Sequence, residues 1–165
     1  MFNFYSRDND KVFPGMKANV TVDTVESFAA EGGINPGEAV IRGTDPDGQV
    51  KAVAKAEDLS KVIGIAVHTH KEPGEGKYYA EGDDISVMTD GDIYVMAGAD
   101  VTAGEVVAMK FDEETGEQVY TNTMDGGATL PGMSYMESGA AGDIVRVRIR
   151  PSGAVAISVS PVVGI

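Results

Sequence analysis

Apolar β-formers arrive in short bursts along this chain, and several bursts are introduced by the same pair, a glycine followed by an acid. Gly82-Asp83-Asp84-Ile85, Gly104-Glu105-Val106-Val107 and Gly142-Asp143-Ile144-Val145 carry the pattern, and Gly37-Glu38-Ala39-Val40 repeats it nearer the N-terminus. Glycine frees the backbone for a turn, the carboxylate is expected to stay in water, and the β-former starts a strand. The recurrence predicts architecture and contains no reactive group.

Residues 38–42 and 49–54 alternate as two strands around Asp45-Pro46-Asp47-Gly48, a turn in which proline presets φ and glycine accepts a positive one. Residues 56–59 suit one helical turn, and residues 62–67 an apolar strand. Residues 71–76 read as a polar loop. The sequence from Ile85 to Met96 predicts a hairpin about Asp90-Gly91. Both faces of that ribbon are largely apolar, so it should be covered on both sides. Residues 105–109 and 118–120 form a second hairpin, residues 122–134 a loop, residues 144–150 a strand and residues 154–163 a last strand broken by Pro161. Residues 20–30 fit a strand or a short helix opened by Asp23 and Glu26. The expected fold is all-β, a compact antiparallel sandwich or barrel of about ten short strands with an extended N-terminal arm. Residues 1–19 are the arm, carrying Phe2, Phe4, Tyr5 and Phe13 among charged residues, and residues 20–165 the single β-rich domain.

Composition narrows the function. The 165 residues are enough for one domain, and the absence of cysteine removes disulfides, thiolate metal sites and cysteine nucleophiles. A formal charge of −13 argues against nucleic acid, whose phosphates call for Lys and Arg. No apolar run approaches the roughly 20 residues of a membrane span, and the N-terminus lacks a signal peptide's order. A soluble protein made in a cytoplasm is expected.

Candidate chemistry is thin. His68 and His70 would share one face of a strand end, but no further His or Cys exists to complete a transition-metal site. The doublets Asp45/Asp47, Asp83/Asp84 and Asp90/Asp92 lack the spacing of a calcium loop and read as turn residues. There is no serine-hydrolase elbow, phosphate loop or dinucleotide fingerprint. No cofactor, metal or catalytic group is expected. Arg146, Arg148 and Arg150 place three guanidiniums on one face of one strand. They pair either with the domain's own acids or with carboxylates of a partner protein.

The order of motifs carries more than any one of them. Phe13-Pro14-Gly15-Met16 comes first, followed by residues 37–45, residues 62–68, Tyr78-Tyr79-Ala80-Glu81-Gly82-Asp83, residues 85–95 and the closing residues 141–147. Together they resemble the structural cement, or head decoration, proteins of tailed bacteriophages, over most of residues 13–150. That resemblance implies a β-rich virion protein on the outside of an expanded capsid. It would bridge neighbouring major capsid subunits and commonly assemble as a homotrimer. Capsid or subunit contacts would then involve Phe2, Phe4, Tyr5, Phe13 and the Arg146, Arg148, Arg150 stripe. The competing reading is a receptor- or glycan-binding module of a head fibre or tail, with Tyr78, Tyr79, Tyr94 or Tyr135 as stacking platforms.

Overall fold

The structure, a computed structural model, describes residues 12–18, 22–69 and 77–151. It is a nine-stranded sheet that closes on itself. The strands are β1 (Thr24–Ala30), β2 (Ala39–Arg42), β3 (Gln49–Ala52), β4 (Gly64–Ala66), β5 (Asp84–Met96), β6 (Val106–Phe111), β7 (Gln118–Thr121), β8 (Gly127–Tyr135) and β9 (Ile144–Ile149), with a 3-10 turn at Ala56–Lys61. Strand order runs β1-β3-β2-β4-β5-β9-β8-β6-β7, and β1 also pairs with β5. That extra pairing closes β1 to β5 into a barrel. A parallel bridge between Ala97 and Tyr120 brings β7 back to the end of β5 and closes the remaining strands in the same way.

The two barrels share one hydrogen-bonding plan. In the first, Ala30 donates to Asp83 O and accepts from Gly82; in the second, Ala97 donates to Asp143 O and accepts from Gly142. Gly37 donates to Ala66 O as Gly104 does to Tyr135 O, and the bridge Ile34–Tyr79 has its counterpart in Val101–Gly139. Strand registers agree too: Phe28 faces Ile85 across β1 and β5 as Val95 faces Val145 across β5 and β9. The chain is therefore one five-stranded unit built twice, with β5 ending the first and starting the second.

The glycine-acid pairs are the joints of this repeated unit. Gly37, Gly82, Gly104 and Gly142 all have positive φ, as the third position of a type II turn requires. The following acids do not simply face water as their polarity suggested. Glu38, Asp83, Glu105 and Asp143 each accept the backbone N–H three residues earlier, of Asn35, Ala80, Thr102 and Ala140, at 2.8–3.0 Å. Each carboxylate fastens the turn it ends.

Equivalent positions inside the barrels differ in residue but balance in volume. Val50, Ala66 and Tyr79 of the first barrel correspond by register to Tyr120, Tyr135 and the half-buried Gly139 of the second, so a ring in one unit stands where the other has a smaller residue. The ring hydroxyls find carbonyl partners: Tyr79 donates to Val67 O at 2.6 Å and Tyr135 to Thr121 O at 2.9 Å. Between the barrels, Ile41, Leu59, Val62 and Ile65 pack with Met109, Leu130, Met133 and Ile149 as one buried cluster.

Local expectations hold for the β2–β3 and β6–β7 hairpins, the helical turn and β9. Within residues 20–30, Thr24–Ala30 form a strand, β1, and no helix opens at Asp23. Two expectations are overturned. Residues 85–96 lie in one strand of 13 residues, β5 (Asp84–Met96), instead of a hairpin. Met88 and Val87 pair with β1 and β4, while Ile93 and Val95 pair with β9, so distant partners on both flanks outweigh the local turn signal. Gly91 marks the crossing from one barrel to the other: its φ is 130°, and a Cβ there would lie 2.6 Å from that of Asp23. Both-sided apolarity was the mark of a strand serving two cores. Residues 127–135 are likewise a strand, not a loop. β8 pairs with β6 before Pro131 and mainly with β9 after Gly132, and proline's missing N–H falls at that changeover. Residues 71–76 and 154–163 lie outside the described residues.

Candidate functional site

The arginine stripe is brought together as expected, and its first partners are internal. β9 lies antiparallel to β5 with Arg148 opposite Asp92 and Arg146 opposite Tyr94. Arg148 donates from Nε to Asp92 Oδ1 at 2.8 Å and from Nη2 to Oδ2 at 3.1 Å, a two-point contact. The Asp92 hydrogen bond holds the Arg148 guanidinium above its ordinary pKa. Arg150 donates to Asp90 Oδ1 at 2.6 Å. Arg146 Nε lies 3.7 Å from Asp92 and 3.9 Å from Glu137, and is buried without a hydrogen-bond partner. Asp92 itself is fully buried. Arg150, 48% exposed in its side chain, is the most accessible of the three.

Phe13 is 40% exposed and starts an aromatic ladder. Its ring stands edge-on to His68 at 4.4 Å, His68 lies 5.0 Å from Tyr78, and Tyr78 5.0 Å from Tyr79 in the first core. The ladder fixes residues 12–18 to the barrel, with Gly15 donating to Tyr94 O and His68 to Gly15 O. His68 thus serves packing. Phe2, Phe4, Tyr5 and His70 lie outside the described residues.

The stacking platforms of the glycan reading are partly removed. Tyr79, at its bridge to Ile34, and Tyr135, in β8, are both fully buried, and their hydroxyls bond to backbone. Tyr78 and Tyr94 are half-buried.

One carboxylate of each of the first two doublets and both of the third are engaged within the molecule. Asp45 accepts from the Asp47 N–H, Asp83 fastens its turn, and Asp90 and Asp92 hold Arg150 and Arg148. Among the described residues no three of His, Cys, Asp and Glu gather as a metal site. Two shallow grooves mark the junctions between barrels. One of about 330 Å³ lies beside Arg42, Arg150 and Met133, the other of about 390 Å³ beside Pro14, Pro36, Met96 and Gln118. Asp45, Asp83, Asp90 and Asp92 are used as turn fasteners or arginine partners, so what the molecule offers is surface.

One residue in that second groove joins the barrels, and no sequence motif marked it. Gln118 takes the Ala39 N–H at 2.7 Å and donates to Ala39 O and Val53 O, both at 2.9 Å. The Tyr120 hydroxyl adds a bond to Gly37 O.

A doubled barrel whose polar groups hold itself together defines a structural protein that works through its faces. The family described as structural cement protein (E217 gp24/Pam3 gp6) matches residues 2–150, and the chain belongs to that family. It is a capsid-stabilising structural protein of phage, with a non-enzymatic role. A chain from the solved structure "The capsid of Myoviridae Phage XM1" has a similar fold, with a TM-score of 0.66 and 16% identity, covering 84% of this chain and 90% of that one. No curated protein sequence matches.

Proposed function

We propose that this protein binds the outer surface of the expanded major capsid lattice and stabilises the head by bridging neighbouring capsid subunits. The observation that carries this is the cement-family match over residues 2–150. The architecture supports it: two barrels fused through β5 form one stiff body, and a stiff body that meets two subunits resists their separation. Repetition over a lattice adds avidity without any single large interface.

Phe2, Phe4, Tyr5 and Phe13 are the apolar contacts assigned to the capsid or a neighbouring copy, and Arg150 the accessible cation. Arg146 and Arg148 contribute through whatever donors their internal pairing leaves. The protein is made in the bacterial host cytoplasm, joins the virion from outside the shell and acts as a homo-oligomer, with a trimer favoured. Nucleic acid and membrane are not partners.

Co-sedimentation with expanded, decoration-free capsids of its own phage, titrated to saturation, tests this reading. Saturation at a simple ratio per capsid subunit, with shells more resistant to heat, is expected. Absence of binding would overturn it. Removing residues 1–13 should weaken binding and leave the far-ultraviolet circular dichroism intact.

A further inference from the structure

The two barrels follow one plan but are not covered alike. Ala39, the first residue of β2, is fully buried because Gln118 lies across the end of the β2–β3 ladder. Val106 begins β6 at the equivalent position and is 55% exposed. Val53, opposite Ala39, is 2% exposed, whereas its counterpart Thr123 is open to solvent and Met124 beside it is 65% exposed. The second barrel covers this flank on the first, and among the described residues nothing covers its own copy of the flank.

From this asymmetry we infer that the Val106–Thr123–Met124 flank is where the protein seats an extended segment of the major capsid subunit, one that lays a carboxamide side chain across the β6–β7 ladder end and an apolar side chain over Val106. The partner chemistry is read from the covered flank, where a glutamine bonds both Ala39 and Val53 and a tyrosine hydroxyl bonds Gly37 O. A second copy of this chain is a poor occupant. Its Gln118 and Tyr120 are engaged within its own barrels, and the equivalent stretch has Gly48 just before β3 and Val50 within it where β7 has Gln118 and Tyr120. The inference rests on the capsid reading above for the partner's identity.

The test compares wild type with Val106→Glu, Met124→Glu and, as a distant exposed control, Val22→Glu, which replaces a residue 93% exposed. All three should melt like wild type, since none removes a buried side chain. In co-sedimentation with decoration-free capsids, Val106→Glu and Met124→Glu should each raise the half-saturating concentration by at least about tenfold, while Val22→Glu binds as wild type does. Wild-type affinity in both flank variants would overturn the surface assignment and leave the capsid reading standing. Failure of the wild type to bind would overturn both. Loss of self-association by sedimentation velocity, with capsid binding intact, would overturn it by making the flank a contact between copies.

Discussion

Asp92 and Arg148 stand opposite each other in the β5–β9 register, where the first barrel places Val25 opposite Met88. One structural position is thus filled by an ion pair in one unit and an apolar pair in the other. Asp92 is fully buried, so removing it alone leaves Arg148 without its carboxylate and Arg146 with Glu137 alone. Asp92→Val should cost roughly 3 kcal/mol, and the double variant Asp92→Val/Arg148→Met, which installs the first barrel's pair, should recover most of that loss. Urea denaturation midpoints check this. A double variant no more stable than the single would show that the two positions are not interchangeable.

Gln118 supplies three hydrogen bonds to the β2–β3 end from the other barrel, and Ala39, which it covers, is fully buried. Gln118→Ala strips partners from buried backbone groups, which costs about 1–3 kcal/mol for a group left unsatisfied. Gln118→Glu should be at least as harmful, because it brings an acceptor to the Ala39 and Val53 carbonyls. Hydrogen exchange at the Ala39 amide should quicken in both variants. Unchanged exchange there would show that the barrels stay closed without this side chain.

What the sequence made legible was what local chemistry decides. Asp45-Pro46-Asp47-Gly48 turns β2 into β3, and Gly104-Glu105 opens β6, because each turn needs only its own residues. Asp90-Gly91 misled for the opposite reason: Val87 pairs with Glu26 and Tyr94 with Arg146, partners that no local window contains. β8 was hidden by its Gly, Thr and Pro content, which long-range pairing overrides. The doubling of the barrel was visible only at its joints, since packing is conserved through compensation, Ala66 for Tyr135 and Tyr79 for Gly139. Alternation placed the arginine stripe on one face, but which acids meet it depends on the β5–β9 register. Gln118 and Val106 were silent because their meaning lies in the comparison of two flanks.

Gly37 and Gly104 occupy equivalent turns with φ of 88° and 95° in different surroundings. A Cβ on Gly104 would meet nothing within 4 Å, so Gly104→Ala should cost only the left-handed backbone penalty. That penalty is about 1–2 kcal/mol. A Cβ on Gly37 would lie 2.8 Å from Pro14 Cβ, so Gly37→Ala carries the same penalty plus displacement of residues 12–18. Thermal melts should rank Gly37→Ala below Gly104→Ala. Equal melting points would mean that the Pro14 contact yields without cost.

Glu105 has its carboxyl held below the ordinary 4.5 by the Thr102 N–H and then by the Asn122 side chain. A lowered folded pKa means the group stabilises fully above pH 4.5, and that contribution fades as pH falls through the folded value. Glu105→Gln keeps an acceptor for Thr102 and removes the titration. Its acid unfolding curve should be shallower than wild type below about pH 4.5. Superimposable curves would mean Glu105 titrates alike in folded and unfolded chains.

At the alkaline end the sign reverses. Burial raises the phenols of Tyr120 and Tyr135 above the ordinary 10.0, and each donates its proton to a backbone carbonyl. Because the neutral form is the one the barrel accepts, their contribution is complete below pH 10 and is lost as pH rises toward the folded values. Tyrosinate absorbance should therefore rise in two stages. The accessible rings of the six tyrosines titrate first with native circular dichroism, and the buried rings, Tyr120 and Tyr135 among them, follow only as the dichroism collapses. Tyr135→Phe, which removes one ionisable buried ring, should shrink the second stage. A single smooth titration of all tyrosines in the folded protein would show that the second barrel opens to hydroxide without unfolding.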